Sequence, residues 1–452
     1  MERSIKLKDE KVSKLLLEFS IPAIVGMLVN SLYIVIDRMF IGRVVGAMAI
    51  SGVSLTFPIV IIIMAFSMLV GIGSAATISI RLGQNKKDEA ENILGNALVL
   101  LIVVGIIVTF FGLVFLEPML TSFGATNNTM EYAKQFIVIL LAGSIFQVIG
   151  FGLNNIIRSE GNPKKAMSTM LIGAVSNIVL DFVFIYILKF GIRGAAVATV
   201  ISQAINMIWV LYYFFKGNSM LKIRKNNLVL KKDLVKSIFS IGMAPFAMQL
   251  AASLVNIILN RSLGIYGGDL AIGAMGIING IATIVLMPIF GINQGSQPII
   301  GFNYGAKLYN RVKEALKLAI IAGTVISTAG ALSVHIFPYV LVSLFNKFDM
   351  NLTKITVNGI KIFMLMYPIV GFQVVSSNYF QAIGKAKVSM FLALLRQVIV
   401  LIPLIILLPK IFGLNGVWIA APVSDIVSSV LTAAFLFIEV KKLNFKKSNK
   451  VI

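Results

Sequence analysis

Residues 176–186 read Ser-Asn-Ile-Val-Leu-Asp-Phe-Val-Phe-Ile-Tyr, and Asp181 is the one acidic residue in this apolar run. A carboxylate inside a membrane-spanning helix costs about 2.5–3.5 kcal/mol on insertion scales. Asn177 precedes it by four residues, so both polar side chains share one helix face. The next strongly polar residue, Lys189, lies two turns further on. We interpret Asp181 as a functional group within a membrane; an Asp that reaches water at a loop is the alternative.

The composition of the whole chain supports a membrane location for this run. Of the 452 residues, 58% are hydrophobic and 13% are charged, whereas soluble domains carry about 25% charged residues. Long apolar runs such as 97–116 favour helices, because barrel strands are about 10 residues long and alternate in polarity. We predict an all-α polytopic membrane protein.

The charge and the rare residue types exclude several function classes. The net charge of +22 fits the accumulation of Lys and Arg on cytoplasmic loops, so we predict no nucleic-acid partner. There is no Cys, and His335 is the only His, which argues against thiol chemistry, a His-based metal site or a catalytic triad. We therefore expect no enzyme activity and no cofactor. No filter-like ring motif of an ion channel is present, and residues 1–14 do not resemble a signal peptide.

The hydrophobic segments predict twelve transmembrane helices, most of them longer than the ~20 residues needed to cross a bilayer. The N-terminus, the C-terminus and the loops that follow the even-numbered spans hold 29 of the 40 Lys and Arg residues. Because Lys and Arg accumulate on the cytoplasmic side of a membrane protein, both termini are predicted to be cytoplasmic. This orientation describes a multi-pass protein of the plasma membrane. The predicted spans are 15–41, 50–80, 92–116, 132–157, 166–188, 194–215, 236–262, 271–300, 314–337, 355–381, 388–409 and 414–438.

The two halves of the chain repeat at an offset of 222 to 223 residues. Pro22 aligns with Pro245, and Asp37 aligns with Asn260. Six spans per half is an even number, so both halves enter the membrane from the same side and form parallel repeats. We predict two parallel six-helix lobes, 1–215 and 237–452, joined by a basic cytoplasmic linker, 216–236. Such pairs commonly enclose a central cavity and rock about it to give alternating access.

Asp37 is the second carboxylate within a span. It lies about 33 Å along span 1 from Leu15 at 1.5 Å per residue, and it shares a helix face with Asn30 and Tyr33. A polar stripe of this kind is expected to face protein or water rather than lipid. An interfacial Asp beside Arg38 is the alternative reading.

Asp37 and Asp181 belong to the same half and to a similar depth in the membrane. Two nearby carboxylates in a low dielectric cannot both ionise easily. At least one of them therefore holds a proton more readily, which is what a proton-binding site requires. The same oxygens, with Asn amides and Thr hydroxyls, also suit a small hard cation. Asn154 and Thr199 are candidates to complete the cluster, although each could instead make an ordinary interhelical hydrogen bond.

The second half lacks matching acids in spans 7 and 10. Those spans carry neutral groups, Gln249, Asn256 and Gln373, so we assign ion coupling to the first half. Asn30, Tyr33, Gln249 and Asn256 are our candidates for contacts with a substrate in the cavity between the halves. Arg396 and Asp425 are charged residues within spans 11 and 12, and an ion pair between them is one possibility.

Several of these features resemble the multidrug and toxic compound extrusion (MATE) family over essentially the whole chain. They are the two six-span halves, Pro22 and Asp37 in span 1, and Asn177-Ile-Val-Leu-Asp181 followed by Gly191-Ile-Arg-Gly194. The NorM-like branch uses acidic residues in spans 7 and 10, and this chain lacks them. In this respect the chain is similar to the DinF-like branch, and its general sequence character resembles that of MepA-type exporters. The resemblance implies a cation site at Asp37, Asn154, Asn177, Asp181 and Thr199, with Pro22 bending helix 1.

The function that this resemblance implies is antiport. The protein is expected to export amphipathic, often cationic drugs in exchange for H⁺ or Na⁺, to work within membrane lipid and to function as a monomer. The alternative within the same superfamily is a flippase for lipid-linked saccharide or peptidoglycan precursors. A flippase predicts several Arg and Lys residues around a pyrophosphate, and only Arg396 lies clearly inside a span.

Overall fold

The computed structural model describes residues 2–44, 47–123, 125–345 and 349–448, and no strand occurs among them. Counted over these residues, twelve helical spans cross the membrane, as predicted. The helices extend a few residues beyond most of the apolar segments. Spans 1 to 6 are Val12–Val44, Ala47–Gly83, Lys87–Val114, Asn127–Ala142 with Ser144–Ser159, Pro163–Asp181 with the π-helix Phe182–Ile187, and Gly191–Phe215.

The second six spans repeat this plan. Lys232–Gly305 is one long helix in which Gly268 has φ +65° and ψ −167°, a conformation that glycine adopts at low cost, so it forms span 7 (232–267) and span 8 (269–305). Spans 9 and 10 are Tyr309–Ile336 and Met350–Phe363 with Tyr367–Ala382. Span 11 comprises Ala386–Leu394, the π-helix Leu395–Leu401, Ile402–Leu407 and Pro409–Phe412, and span 12 is Leu414–Ser448.

Short helices lie outside the spans, at Glu2–Asp9, Leu116–Ser122, Lys225–Asn227 (3₁₀) and Pro338–Ser343. Irregularities recur at corresponding spans of the two repeats. Span 4 bends by 55° and span 10 by 54°, and spans 5 and 11 each contain a π-helix. π-helical turns appear frequently at functional sites, so spans 5 and 11 are candidate locations for such a site.

The chain forms two compact units. One comprises the residues up to Glu10 with Val25–Gln249, and the other comprises Lys11–Ile24 with the described residues from Leu250 onward. The units follow packing, whereas the predicted lobes 1–215 and 237–452 follow the repeat, and that division stays a prediction. The starts of spans 1 and 7 each pack in the unit that the other repeat builds.

Small residues allow this exchanged packing. A Cβ added at Gly242 of span 7 would lie 1.7 Å from the carbonyl oxygen of Leu69 in span 2. In the other unit, a Cβ at Gly295 of span 8 would lie 2.5 Å from the hydroxyl of Ser20 in span 1. Membrane helices associate through such close backbone approaches, because lipid supplies no hydrophobic force between them.

Large apolar side chains cover the outer faces of the spans, as Ile106 and Phe110 do in span 3 and Val430 and Phe437 do in span 12. Polar side chains turn inward, including Asn154, Asn177 and Asp181. This distribution reverses that of a soluble protein, and it follows from the cost of a polar group in hydrocarbon.

Candidate functional site

Asp181 is the last residue of the α-helical part of span 5, and the π-helix Phe182–Ile187 begins directly after it. The carboxyl group is fully buried in its unit, with 0% of the residue exposed. Neither of its oxygens accepts a hydrogen bond from a residue that the structure describes. A buried carboxylate without donors is costly, so the site favours taking up a proton or a cation.

Asp37 and Tyr33 of span 1 are the groups that face Asp181. Both carboxyl groups interact electrostatically with Tyr33, and Asp37 lies within hydrogen-bonding range of Asp181. Two carboxylates have no donor to share, so a hydrogen bond between them requires a proton on one of them. The structure thus brings Asp37 and Asp181 together, and their role as an ion site stays a prediction.

A row of amides and hydroxyls lies beside the carboxyl pair on spans 5 and 6. The Asn177 amide donates to Thr199 Oγ1 at 3.4 Å, and the Thr199 hydroxyl donates to the Ala195 carbonyl at 3.0 Å. The Asn177 Oδ1 oxygen accepts no hydrogen bond from a described residue. It is therefore an available oxygen one helical turn from Asp181.

The other predicted site residues are less closely joined. Asn154 of span 4 is buried, and no hydrogen bond among the described residues joins it to the carboxyl pair. Pro22 lies inside the helix Val12–Val44, which is continuous through it. Of the predicted substrate contacts, Asn30 and Asn256 are exposed in their units, while Gln249 is half-buried. Their roles, like the assignment of the whole site, stay predictions.

Two residues that the sequence analysis did not select extend this polar row. The Gln203 amide of span 6 donates to Gln147 Oε1 of span 4 at 3.3 Å. Gln203 lies four residues after Thr199, so it continues the same helix face. In the sequence, the signal for both residues was a polar side chain inside an apolar span.

The donor set fits a proton or a small hard cation. It consists of two carboxyl groups with amide and hydroxyl oxygens, and it contains no soft ligand. The described residues hold no group of three or more His, Cys, Asp and Glu side chains arranged for a metal ion. A first proton or monovalent cation would bind the pair readily, because it relieves the repulsion between the two carboxylates.

Comparison with known proteins supplies the family. The MatE family model matches residues 22–183 and again 245–407. Its two copies begin at Pro22 and Pro245, the residues that open the internal repeat. The chain belongs to the MatE family. As a MATE protein it is a transporter and not an enzyme.

Individual relatives of this MATE protein cover nearly its full length. It is similar to the multidrug export protein MepA of Staphylococcus haemolyticus (strain JCSC1435), with 26% identity over 100% of this chain and 99% of the relative. MepA of Staphylococcus aureus (strain MSSA476) is also 26% identical, over 91% of this chain and 92% of the relative.

Solved structures give the same result. The MATE multidrug transporter DinF-BH, solved in complex with the dye rhodamine 6G, is 40% identical, covers 95% of this chain and 96% of its own, and has a TM-score of 0.89. An outward-facing multidrug resistance MATE transporter of the MOP superfamily is 25% identical, covers 97% and 98%, and has a TM-score of 0.92. The predicted likeness to MepA and to the DinF-like branch is confirmed.

Proposed function

We propose that this MATE protein is a multidrug exporter that exchanges amphipathic, often cationic compounds for H⁺ or Na⁺. The observation that carries the proposal is the fully buried Asp181, which faces the half-buried Asp37 and accepts no hydrogen bond from described residues. Such a pair binds one positive charge well and a second poorly. The names of the relatives, multidrug export protein MepA and multidrug transporter DinF-BH, support the substrate class.

The proposed cycle couples the two ligands through the carboxyl pair. With the site open to the outside, a proton or Na⁺ binds the pair Asp37 and Asp181 and compensates one of its two negative charges, helix 1 bends at Pro22, and the drug leaves. When the site opens inward, the ion leaves and a new drug binds. Exchange follows only if each ligand prefers a different state, because a ligand with equal affinity for both states shifts nothing.

The remaining parts of the proposal concern setting and partners. We propose that both termini are cytoplasmic, which the charge bias of the loops supports, and that the protein works as a monomer in the plasma membrane. Asn154, Asn177 and Thr199 complete the ion site. The substrate contacts that we propose are Asn30, Tyr33, Gln249 and Asn256.

Transport by purified protein in vesicles tests this function, with the dye bound by DinF-BH, hereafter rhodamine, as the probe. Rhodamine movement is measured under an imposed pH gradient and, separately, under an imposed Na⁺ gradient, which also identifies the coupling ion. We expect Asp181→Asn to lose gradient-driven transport by about tenfold or more while rhodamine binding changes by less than about threefold. Glu117→Gln, an exposed carboxylate outside the spans, is the matched control. Full gradient-driven transport by Asp181→Asn would exclude the proposed coupling.

The flippase alternative is not favoured. It needs cationic side chains that are free to hold a pyrophosphate. Arg396 donates from Nε to Asp425 Oδ1 at 2.7 Å, so its charge is already compensated within the unit.

A further inference from the structure

The buried face of span 12 is polar from Ser424 to Thr432 and again at Glu439. Its members recur at spacings of three, four and seven residues, which places them on one face of the helix. The opposite face is apolar and exposed, as at Val430 and Phe437. A protein interior that only needed packing would bury apolar groups here instead. The buried polar residues are Ser424, Asp425, Ser428, Ser429, Thr432 and Glu439.

Both ends of this polar face carry an ion pair. At one end Asp425 is paired with Arg396 of span 11. At the other end Glu439 is paired with Lys385, which directly precedes span 11. Asp425 and Glu439 are fourteen residues apart, or about 21 Å along the helix at 1.5 Å per residue. The face thus links a charge inside the membrane with a charge near the end of the span.

The hydroxyl groups between these charges lack protein partners. Ser428 Oγ, Ser429 Oγ, Thr432 Oγ1 and Asp425 Oδ2 are buried and make no hydrogen bond with any residue that the structure describes. Burying such a group without a hydrogen-bond partner is unfavourable. Buried polar groups of this kind are ordinarily satisfied by ordered water.

Span 10 packs against this face and adds groups of the same kind. Tyr367 interacts electrostatically with Arg396 and Asp425 at one end, and Tyr379 interacts with Glu439 at the other. Span 10 therefore follows the polar face along its whole length. Its Ser376 hydroxyl and Tyr379 hydroxyl also have no hydrogen-bond partner among the described residues.

The first repeat matches this face only in part. At the repeat offset of 222, Ser424, Asp425 and Ser428 correspond to the polar residues Ser202, Gln203 and Asn206. Thr432 instead corresponds to Val210, which is apolar and fully buried. Span 6 is therefore apolar where span 12 continues with a hydroxyl.

We propose that spans 10 and 12 hold a file of water molecules that carries protons between Asp425 and the end of span 12 at Glu439. That end of span 12 is cytoplasmic in the proposed orientation, and the direction of proton movement rests on the proposed function. The charged and titratable groups that face the file are Arg396 and Tyr367 beside Asp425, and Lys385, Tyr379 and Tyr304 beside Glu439. Only O–H bonds form and break along the file, and a proton delivered to Asp425 releases Arg396 from its ion pair.

The absence of native cysteine allows a direct test for water. Thr432→Cys and its repeat mate Val210→Cys are each exposed to Ag⁺ in nitrate buffer, and the remaining thiol is counted with a fluorescent maleimide after denaturation. Because thiol reactivity follows access, we expect Thr432→Cys to react about 100-fold faster than Val210→Cys. Equal protection of the two thiols would overturn the proposal. Ser428→Cys repeats the test at a second position should Thr432→Cys not fold.

Proton movement is tested separately with Thr432→Val, which keeps the shape of the side chain and removes the hydroxyl. A pH dye inside vesicles reports proton release when rhodamine is added outside, and we expect the release to slow by about threefold or more. Unchanged proton release beside a reactive Thr432→Cys would mean water without a proton path, and would overturn the proposal. The Ag⁺ result does not depend on transport, so failure of the proposed exporter function is distinguishable from failure of the water file.

Discussion

The two repeats each place a pair of charged groups within the membrane, but in opposite ways. Spans 1 and 5 bring two carboxyl groups together, Asp37 and Asp181. Spans 11 and 12 instead pair the carboxylate of Asp425 with the guanidinium of Arg396. The first arrangement brings together two groups of the same sign, whereas the second pairs groups of opposite sign. If the proposed function is right, the first repeat binds the coupling ion and the second repeat uses its charges for structure.

The corresponding turns after spans 4 and 10 differ as well. Glu160 is fully buried and accepts hydrogen bonds from Ser219 at 2.6 Å and from the Met220 amide at 3.1 Å, and it pairs with Arg3 at 3.1 Å. Its repeat mate is Ile383. An acidic group therefore holds the N-terminal helix and the linker in the first repeat, and the second repeat has no counterpart at that position.

Breaking the ion pair of the second repeat is the change with the largest expected effect. Asp425→Asn leaves the half-buried guanidinium of Arg396 without its counter-charge, which costs about 3 kcal/mol of stability. The double variant Arg396→Met with Asp425→Leu removes both charges, so we expect it to recover most of that loss. Thermal unfolding in detergent measures both variants. Equal losses in the single and the double variant would show that packing, and not charge, causes the effect.

Removing the carboxyl group of Glu160 is expected to cost about 2–3 kcal/mol, because several donors lose their acceptor at once. Glu160→Ala should also raise hydrogen exchange in the helix Glu2–Asp9 and in residues 218–221. Glu117→Ala removes an exposed carboxylate that pairs with Lys134 and is the control. If Glu160→Ala left exchange in the helix Glu2–Asp9 unchanged, Arg3 and Glu160 would not hold that helix in place.

The pH dependence of the same contact has a definite sign. Burial raises the pKa of Glu160, although the hydrogen bonds from Ser219 and Tyr213 act in the opposite direction. The folded protein then binds this proton more tightly than the unfolded chain does. Its contribution to stability is complete below the unfolded pKa of 4.5 and is lost as the pH rises through the folded pKa. We expect Glu160→Gln to flatten the unfolding temperature across this window, and an unaltered pH profile would contradict the assignment.

Hydropathy and the repeat were sufficient to predict the twelve spans and the similar depth of Asp37 and Asp181, because span length and depth are properties of single helices. Helix rotation is set by packing between spans. For that reason the sequence left the pairing of Arg396 with Asp425 open and did not select Gln147 or Gln203.

The local helix geometry was also beyond sequence reasoning. The π-helix after Asp181 inserts an extra residue per turn, and no residue type in Phe182–Ile187 requires it. Asn154 was chosen because it is an amide in an apolar span, and burial confirms only that it faces inward. Which buried amides share a site depends on contacts between spans that a single sequence does not contain.

Removing the charge at Asp181 tests whether the carboxylates of the first repeat differ in role from Asp425 of the second. Its oxygens have no donor among the described residues, so Asp181→Asn removes an unfavourable buried charge and breaks no ion pair. We expect the free energy of unfolding to rise by about 1 kcal/mol, opposite in sign to Asp425→Asn. Thermal unfolding under the same conditions measures it. A loss as large as that of Asp425→Asn would mean that both repeats use their carboxylates for structure.

The smallest expected effect comes from Thr199→Val, which removes the acceptor of the Asn177 amide. Hydrogen bonds between membrane helices are worth about 0.6 kcal/mol on average, and this one is long, at 3.4 Å. Stability should therefore change little. If Thr199 instead supplies an oxygen to the ion site, gradient-driven rhodamine transport falls by more than the stability change explains, while rhodamine binding is retained. Parallel small losses in unfolding temperature and transport would assign Thr199 to helix packing and confine the ion site to span 5 and Asp37.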